Sequence, residues 1–162
     1  MILISSCLLG NPARFDGQAK PCQLLVKYKD CGHFLPICPE CAGQLPIPRP
    51  PAEIQNGTGR DVWQNKCRVL DRNGLDVTDN FCKGAMVCAK LAKKHKITAV
   101  ILKERSPSCG VHAVYDGSFS KTTLPGQGVA AAYLAELGYR LYSEEDLTEE
   151  LLLKLLAEDT ES

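Results

Sequence analysis

Three short apolar runs, each leading to a cysteine, constrain this chain more than any other feature. Ile2-Leu3-Ile4 continues through Ser5 and Ser6 to Cys7, and Phe34 to Ile37 stops at Cys38. Thr98 to Leu102 leads through Lys103-Glu104-Arg105 into the turn Ser106-Pro107-Ser108-Cys109-Gly110. Runs this short and this apolar read as strands buried on both faces, as in a parallel sheet. The carboxyl ends of such strands are where open α/β sheets place their ligands. Each cysteine has turn-forming neighbours: Gly10 and Pro12, Pro39, and Pro107 with Gly110.

The segments between these runs have helical spacing. A short helix is expected over 21–31, opened by Pro21 and stopped by Gly32. The clearest helix spans 76–96, capped by Asp76 or Thr78, with Val77, Phe81, Ala85, Cys88 and Ala92 on one face. A third covers 126–137, with Val129, Ala132, Tyr133 and Leu137 inward and Gly138 as its stop. Ser143 to Asp146 resembles a capping box before a last helix striped by Leu147, Leu151 and Leu155. Further short strands fit 67–71 and 139–142, and 55–63 reads as an exposed loop. Strands alternating with helices predict an α/β fold, a mainly parallel sheet with helices on both faces. One domain over 1–162 is expected, with 157–162 a frayed tail.

Residues 38–54, CPECAGQLPIPRPPAEI, contain too many prolines for a regular helix or central strand. Leu45, Ile47 and Ile54 are apolar, so the stretch is expected to be a stiff, ordered loop lying over a site.

Lys plus Arg (19) equals Asp plus Glu (19), which leaves no electrostatic footprint for nucleic acid or an anionic membrane. No segment is long enough to span a bilayer, and the first residues lack the basic region of a signal peptide. A cytoplasmic chain is expected, and nothing in the sequence sets an oligomeric state. Nine cysteines are too many to ignore and, being odd, cannot all pair. In a reducing compartment they serve metal binding, catalysis or plain burial.

Three groupings compete. Cys22, Cys31, Cys38 and Cys41 lie close in sequence, but they include a single CxxC, whereas structural zinc sites want two close pairs. Cys38-Pro39-Glu40-Cys41 could be a redox motif, yet such motifs need a helix N-terminus, and a proline-rich stretch follows. Cys7, Cys38 and Cys109 share strand-end positions and could together hold an iron–sulfur cluster with one iron open.

The blocks ISSCLLG (4–10), RFDG (14–17), ICPECAGQLPIPRPPAEI (37–54), DVT (76–78), LKERSPSCG (102–110) and YDGSF (115–119) occur in this order over residues 1–142. Together they resemble the TudS-like thiouracil desulfidase family. The resemblance implies a Rossmann-like three-layer α/β sandwich carrying a 4Fe-4S cluster on Cys7, Cys38 and Cys109, with one open iron. It also implies non-redox, hydrolytic removal of sulfur from 2-thiouracil-type thiopyrimidines, giving uracil and sulfide. Cys41 stands where the family pattern has an apolar residue.

For that reaction the soft thiocarbonyl sulfur is expected to bind the open iron, and a water must attack C2. Glu40 is the first candidate for the base. Ser106 and Ser108 are candidates for hydrogen bonds to substrate or cluster sulfur, although serines beside prolines also shape turns. Asp16 is a candidate for orienting the base or the pyrimidine, against a plain Asp-Gly turn. Arg49 and Glu53 are expected to pair with each other, and Lys103 and Glu104 to form an exposed strand end. His112 is expected to be structural, and Tyr115 and Asp116 to border the pocket. The alternatives are a non-catalytic metal or sulfur carrier with a cysteine zinc site, and a desulfidase for thionucleosides or thiolated RNA. The neutral charge balance disfavours RNA.

Overall fold

The computed structural model describes all 162 residues. In chain order its elements are β1 (Ile2–Ser5), α1 (Gln23–Lys27), β2 (Phe34–Ile37), α2 (Pro39–Ala42), β3 (Ala52–Ile54), α3 (Gly59–Trp63) and β4 (Val69–Asp71). Then follow α4 (Thr78–Lys94), β5 (Ala99–Leu102), β6 (Ala113–Tyr115), β7 (Thr123–Pro125), α5 (Val129–Glu136), β8 (Leu141–Ser143) and α6 (Glu149–Thr160). A 3-10 turn, Ser6–Leu9, follows β1 directly.

The central sheet has the order β2-β1-β5-β8 and is parallel throughout. β1 and β5 are buried along their whole length, as their unbroken apolar runs require. Successive residues point to opposite faces. Leu3, Val100 and Leu102 meet Cys88 and Ala92 of α4 and Ala131 and Leu134 of α5. Ile2, Ile4, Ala99 and Ile101 meet Leu25 of α1 and Leu152 and Leu155 of α6. The result is the expected three-layer α/β sandwich. β2 is an edge strand, where Pro36 costs no ladder bond. A third cluster joins the antiparallel pair β3–β4 to α3, α4 and α5 through Ile54, Val62, Val69, Phe81 and Val129.

Several expectations are corrected. The proline-rich stretch contains the short helix α2, because Pro39 sits at a first-turn position that needs no N–H. Its far end forms β3, and 55–63 contains α3, opened by a Thr58–Asp61 capping box. The face expected for the last-but-one helix is rotated. Val129, Ala130, Ala131 and Leu134 are buried in α5, while Leu137 is 55% exposed. α5 is wedged between two clusters, so its small alanines face inward on both sides. Thr148, not Ser143, caps α6. The frayed tail expected from residue 157 is helix to Thr160, anchored by Asp159, which accepts from Thr98 Oγ1 (2.6 Å) and contacts His33 Nδ1 (2.6 Å). No helix is long and apolar enough to cross a membrane.

Candidate active site

The chain leaves β1 towards β2 on one side and takes β5 on the other, which makes the end of β1 a switch point of the sheet. A cavity of about 590 Å³ opens there. Cys7 enters it from the 3-10 turn after β1, Cys38 from the N-cap of α2, and Cys109 from the loop after β5. The three strand-end cysteines therefore line one cavity.

Burial raises all three thiols above their ordinary pKa, Cys38 to about 12. Lys103 and Arg14 act against burial at Cys7, and hydrogen bonds from Ser5 and Ser108 do so at Cys109. Such thiols ionise only when a positive partner takes the thiolate.

Glu40 lies in the first turn of α2 and is held at both oxygens. Arg49 Nε donates to Oε1 (3.1 Å), and Ser108 Oγ donates to Oε2 (3.1 Å). The Arg49 side chain is only 4% exposed. Its remaining donors reach the carbonyls of Pro46 and Ala13 (3.1 Å each) and the sulfurs of Cys41 (3.7 Å) and Cys38 (3.9 Å). Ser108 Oγ also lies 3.6 Å from Cys109 Sγ. Ser106 Oγ accepts the backbone N–H groups of Ser108 (3.2 Å) and Cys109 (3.1 Å), so it shapes the turn. A connected chain of polar groups, Arg49–Glu40–Ser108–Ser106, thus runs beside the thiols.

Two backbone contacts hold this arrangement. α2 lies on α4 with no room for a Cβ at Gly84 or Gly43. The 107–110 loop sits on the start of α5, where Gly128, Val129 and Ala130 donate to the carbonyls of Gly110, Pro107 and Ser108 (2.8–2.9 Å). Glycine is required at 128, because a Cβ there would lie 2.6 Å from the Ser108 carbonyl carbon. The Gly-Gln-Gly before α5 is thus a seat for this loop.

Other expected roles change. Asp16 does not line the cavity; its Oδ1 accepts from Gln18 N (3.0 Å), closing the Asp-Gly turn. Arg49 pairs with Glu40, not with Glu53. Glu53 lines the cavity and accepts from Gly117 N (3.0 Å) and Phe119 N (3.1 Å). Glu104 is buried, 2% exposed, where an exposed strand end was expected. Lys103 lines the cavity and pairs with Glu144 (3.0 Å). Tyr115 borders the cavity as expected, but Asp116 does not; it accepts from Ser118. His112 turns out to Asp146 (2.8 Å). Cys38 now heads a helix, which removes the objection to a redox CxxC. No group of three Cys, His or acidic side chains closes on a point that could hold one metal ion. Cys22 and Cys31 pack in the apolar layer under β1, away from the Cys38–Cys41 pair beside Ala13 O.

Sequence reasoning missed Ser5, Arg49 as the partner of Glu40, and the aromatic wall of Phe15 and Phe119. Ser5 bonds to Lys103, far along the chain, and Arg49 reaches back across the proline-rich stretch to Glu40 and to Ala13, and no local pattern marks either contact.

Over residues 2–146 the chain matches the 2-thiouracil desulfurase family. It is 42% identical over 149 residues to YbbK of Bacillus subtilis (strain 168), described as an uncharacterized protein; the match covers 92% of this chain and 99% of that one. Among solved structures it is similar to the 4Fe-4S-dependent thiouracil desulfidase TudS, with 40% identity and a TM-score of 0.82 over 96% of this chain and 97% of the other. A match of this length, on a fold whose strand ends gather the cysteines of the matching blocks, places the chain in the 2-thiouracil desulfurase family.

Proposed function

We propose that this chain is a 4Fe-4S-dependent desulfidase that converts 2-thiouracil-type thiopyrimidines and water to uracil and sulfide, with no net redox change. The observation that carries the reading is the meeting of Cys7, Cys38 and Cys109 at one cavity beside Glu40 and Ser108. Their donor chemistry fits the cluster. Thiolates are its usual ligands, and Arg49, Lys103 and Arg14 supply compensating positive charge. Cys7, Cys38 and Cys109 would hold it, and bound there it would supply an open iron as a soft Lewis acid for the thiocarbonyl sulfur.

The chain's own groups do the rest. Glu40 takes a proton from the water that attacks C2, and Arg49 fixes the angle of its carboxylate. Ser108, between that carboxylate and the Cys109 sulfur, is placed to carry a proton towards the departing sulfur. Phe15, Tyr115 and Phe119 offer aromatic walls to a flat ring and shield it from water. A reducing cytoplasm suits an oxygen-sensitive centre of this kind.

Anaerobic purification followed by iron and sulfide assays tests the reading. About four irons per chain and sulfide release from 2-thiouracil are expected. A colourless protein that binds one zinc after anaerobic reconstitution overturns it.

A second reading, a thionucleoside or its phosphate, is favoured by Lys20, Arg72 and Lys121 on the cavity wall, which a neutral base does not call for. Comparing kcat/KM for thiouracil, thiouridine and its 5′-monophosphate separates the two.

A further inference from the structure

Glu104 stands two residues past the end of β5, where the chain enters the Cys109 loop, and its carboxylate closes that loop from behind. Oε1 accepts the consecutive backbone N–H groups of Val111 (2.9 Å), His112 (2.8 Å) and Ala113 (3.1 Å), all on the far side of Cys109. One oxygen thus joins the entry of the loop to its exit. Burial pushes the carboxyl up, but these N–H groups, with that of Arg105, outweigh it and hold the group below the usual carboxylate range. Oε2 is buried with no hydrogen-bond partner, a cost accepted for what Oε1 does. The backbone between is strained: Arg105 stands at φ +65°, the left-handed region that side chains disfavour. Such strain persists only where the surroundings enforce it.

We infer that Glu104 is a positioning residue of the active site, a carboxylate clasp that sets the loop presenting Ser106, Ser108 and Cys109 to the cavity. The inference rests on the site proposed above, because it assigns Glu104 a task towards those residues. Glu104 is among the cavity-lining residues, but its Oε1 is engaged by the loop and its Oε2 is buried. Without it, three adjacent N–H groups lose their acceptor, and the loop keeps its bonds to α5, the N–H groups held by Ser106 and the Arg105–Val114 bridge.

The test is thiol alkylation of the full-length, metal-free chain, resolved by peptide mass, for the parent, Glu104→Ala and Glu104→Gln. Cys109 is 4% exposed and Cys88, in the α4 core, is 1% exposed, so both report opening of the structure. In Glu104→Ala, Cys109 should react roughly tenfold faster or more, while Cys88 keeps its parental rate. Glu104→Gln retains a carbonyl acceptor for the three N–H groups and should return Cys109 close to the parental rate. Unchanged Cys109 reactivity in Glu104→Ala overturns the inference. So does a parallel rise at Cys88, which would mean a general loss of stability. So does a Gln variant no better than Ala. The readout needs no turnover, so a parent chain that fails to release sulfide refutes the desulfidase reading and leaves this result standing.

Discussion

Replacing Gly84 by alanine should damage the active site far more than the fold. Gly84 lies in α4 against α2, and a Cβ added there would stand 1.9 Å from the Pro39 carbonyl oxygen. Real Cβ contacts do not fall below 3.0 Å, so α2 and α4 must separate by about 1.1 Å. Both partners are main chain, so no rotamer can give way. The neighbouring approach, Gly43 to the Asn80 carbonyl, would be 2.0 Å for a Cβ and resists any sideways escape. Overpacking of this kind costs about 1–3 kcal/mol, and the helix propensity of alanine returns about 1 kcal/mol. The net loss of about 0–2 kcal/mol lowers Tm by at most roughly 8 °C in a chain of this size. Cys38 and Glu40 ride on the displaced helix, and a misplacement of about 1 Å near the chemistry costs on the order of a hundredfold in rate. Thermal unfolding and kcat/KM for 2-thiouracil, measured on the same preparation, should show a few degrees lost and about two decades of activity lost. Parental turnover in Gly84→Ala would refute the claim that this contact positions Glu40.

Glu40→Gln should keep its iron and lose about 10²–10⁴ in kcat; full rate would place the base elsewhere. Cys38→Ala, like Cys7→Ala and Cys109→Ala, should lose the visible absorbance of the cluster, whereas Cys41→Ser should retain it. The reverse result would make Cys41 the ligand. Glu53→Ala frees the two N–H groups that fix the β6–β7 loop, so KM for thiouracil should rise about tenfold with iron content unchanged. The hydrogen bond from Arg68 holds the Asp76 carboxyl at about 2, below its ordinary 3.8. Its contribution is therefore complete above about pH 4 and disappears as pH falls towards 2. Urea unfolding of Asp76→Asn should show a shallower acid limb in that window, and a parental slope would exclude this residue.

Much of the fold was legible in the chain because burial repeats at fixed intervals. The α4 face of Val77, Phe81, Ala85, Cys88 and Ala92 is buried throughout, with Val77 preceding the helix as its cap. The strand-end cysteines were legible because a parallel sheet gathers its carboxyl ends at one edge. The hairpin strands β6 and β7 were not, since each is three residues long and neither shows a clear apolar alternation. The α5 face was misjudged because a helix touched on two sides has no single stripe. Arg49 and Glu104 were misread for a different reason. A charged side chain looks solvated in sequence, and only its partners, Glu40 in one case and three backbone N–H groups in the other, make its burial tolerable.

The seat of the 107–110 loop on α5 also divides the cavity into a part that can evolve and a part that cannot. Inserting or deleting a residue between Pro107 and Gly110 would strand the N–H groups of Gly128, Val129 and Ala130 at the head of a helix. That rim tolerates no change of length. Another part of the lining, with Phe15, Tyr115, Phe119 and Lys121, is borne on turns and a hairpin that share none of those bonds. Altered substrate choice is therefore best sought by substitution on the aromatic rim, with the cysteine rim left as a fixed cassette.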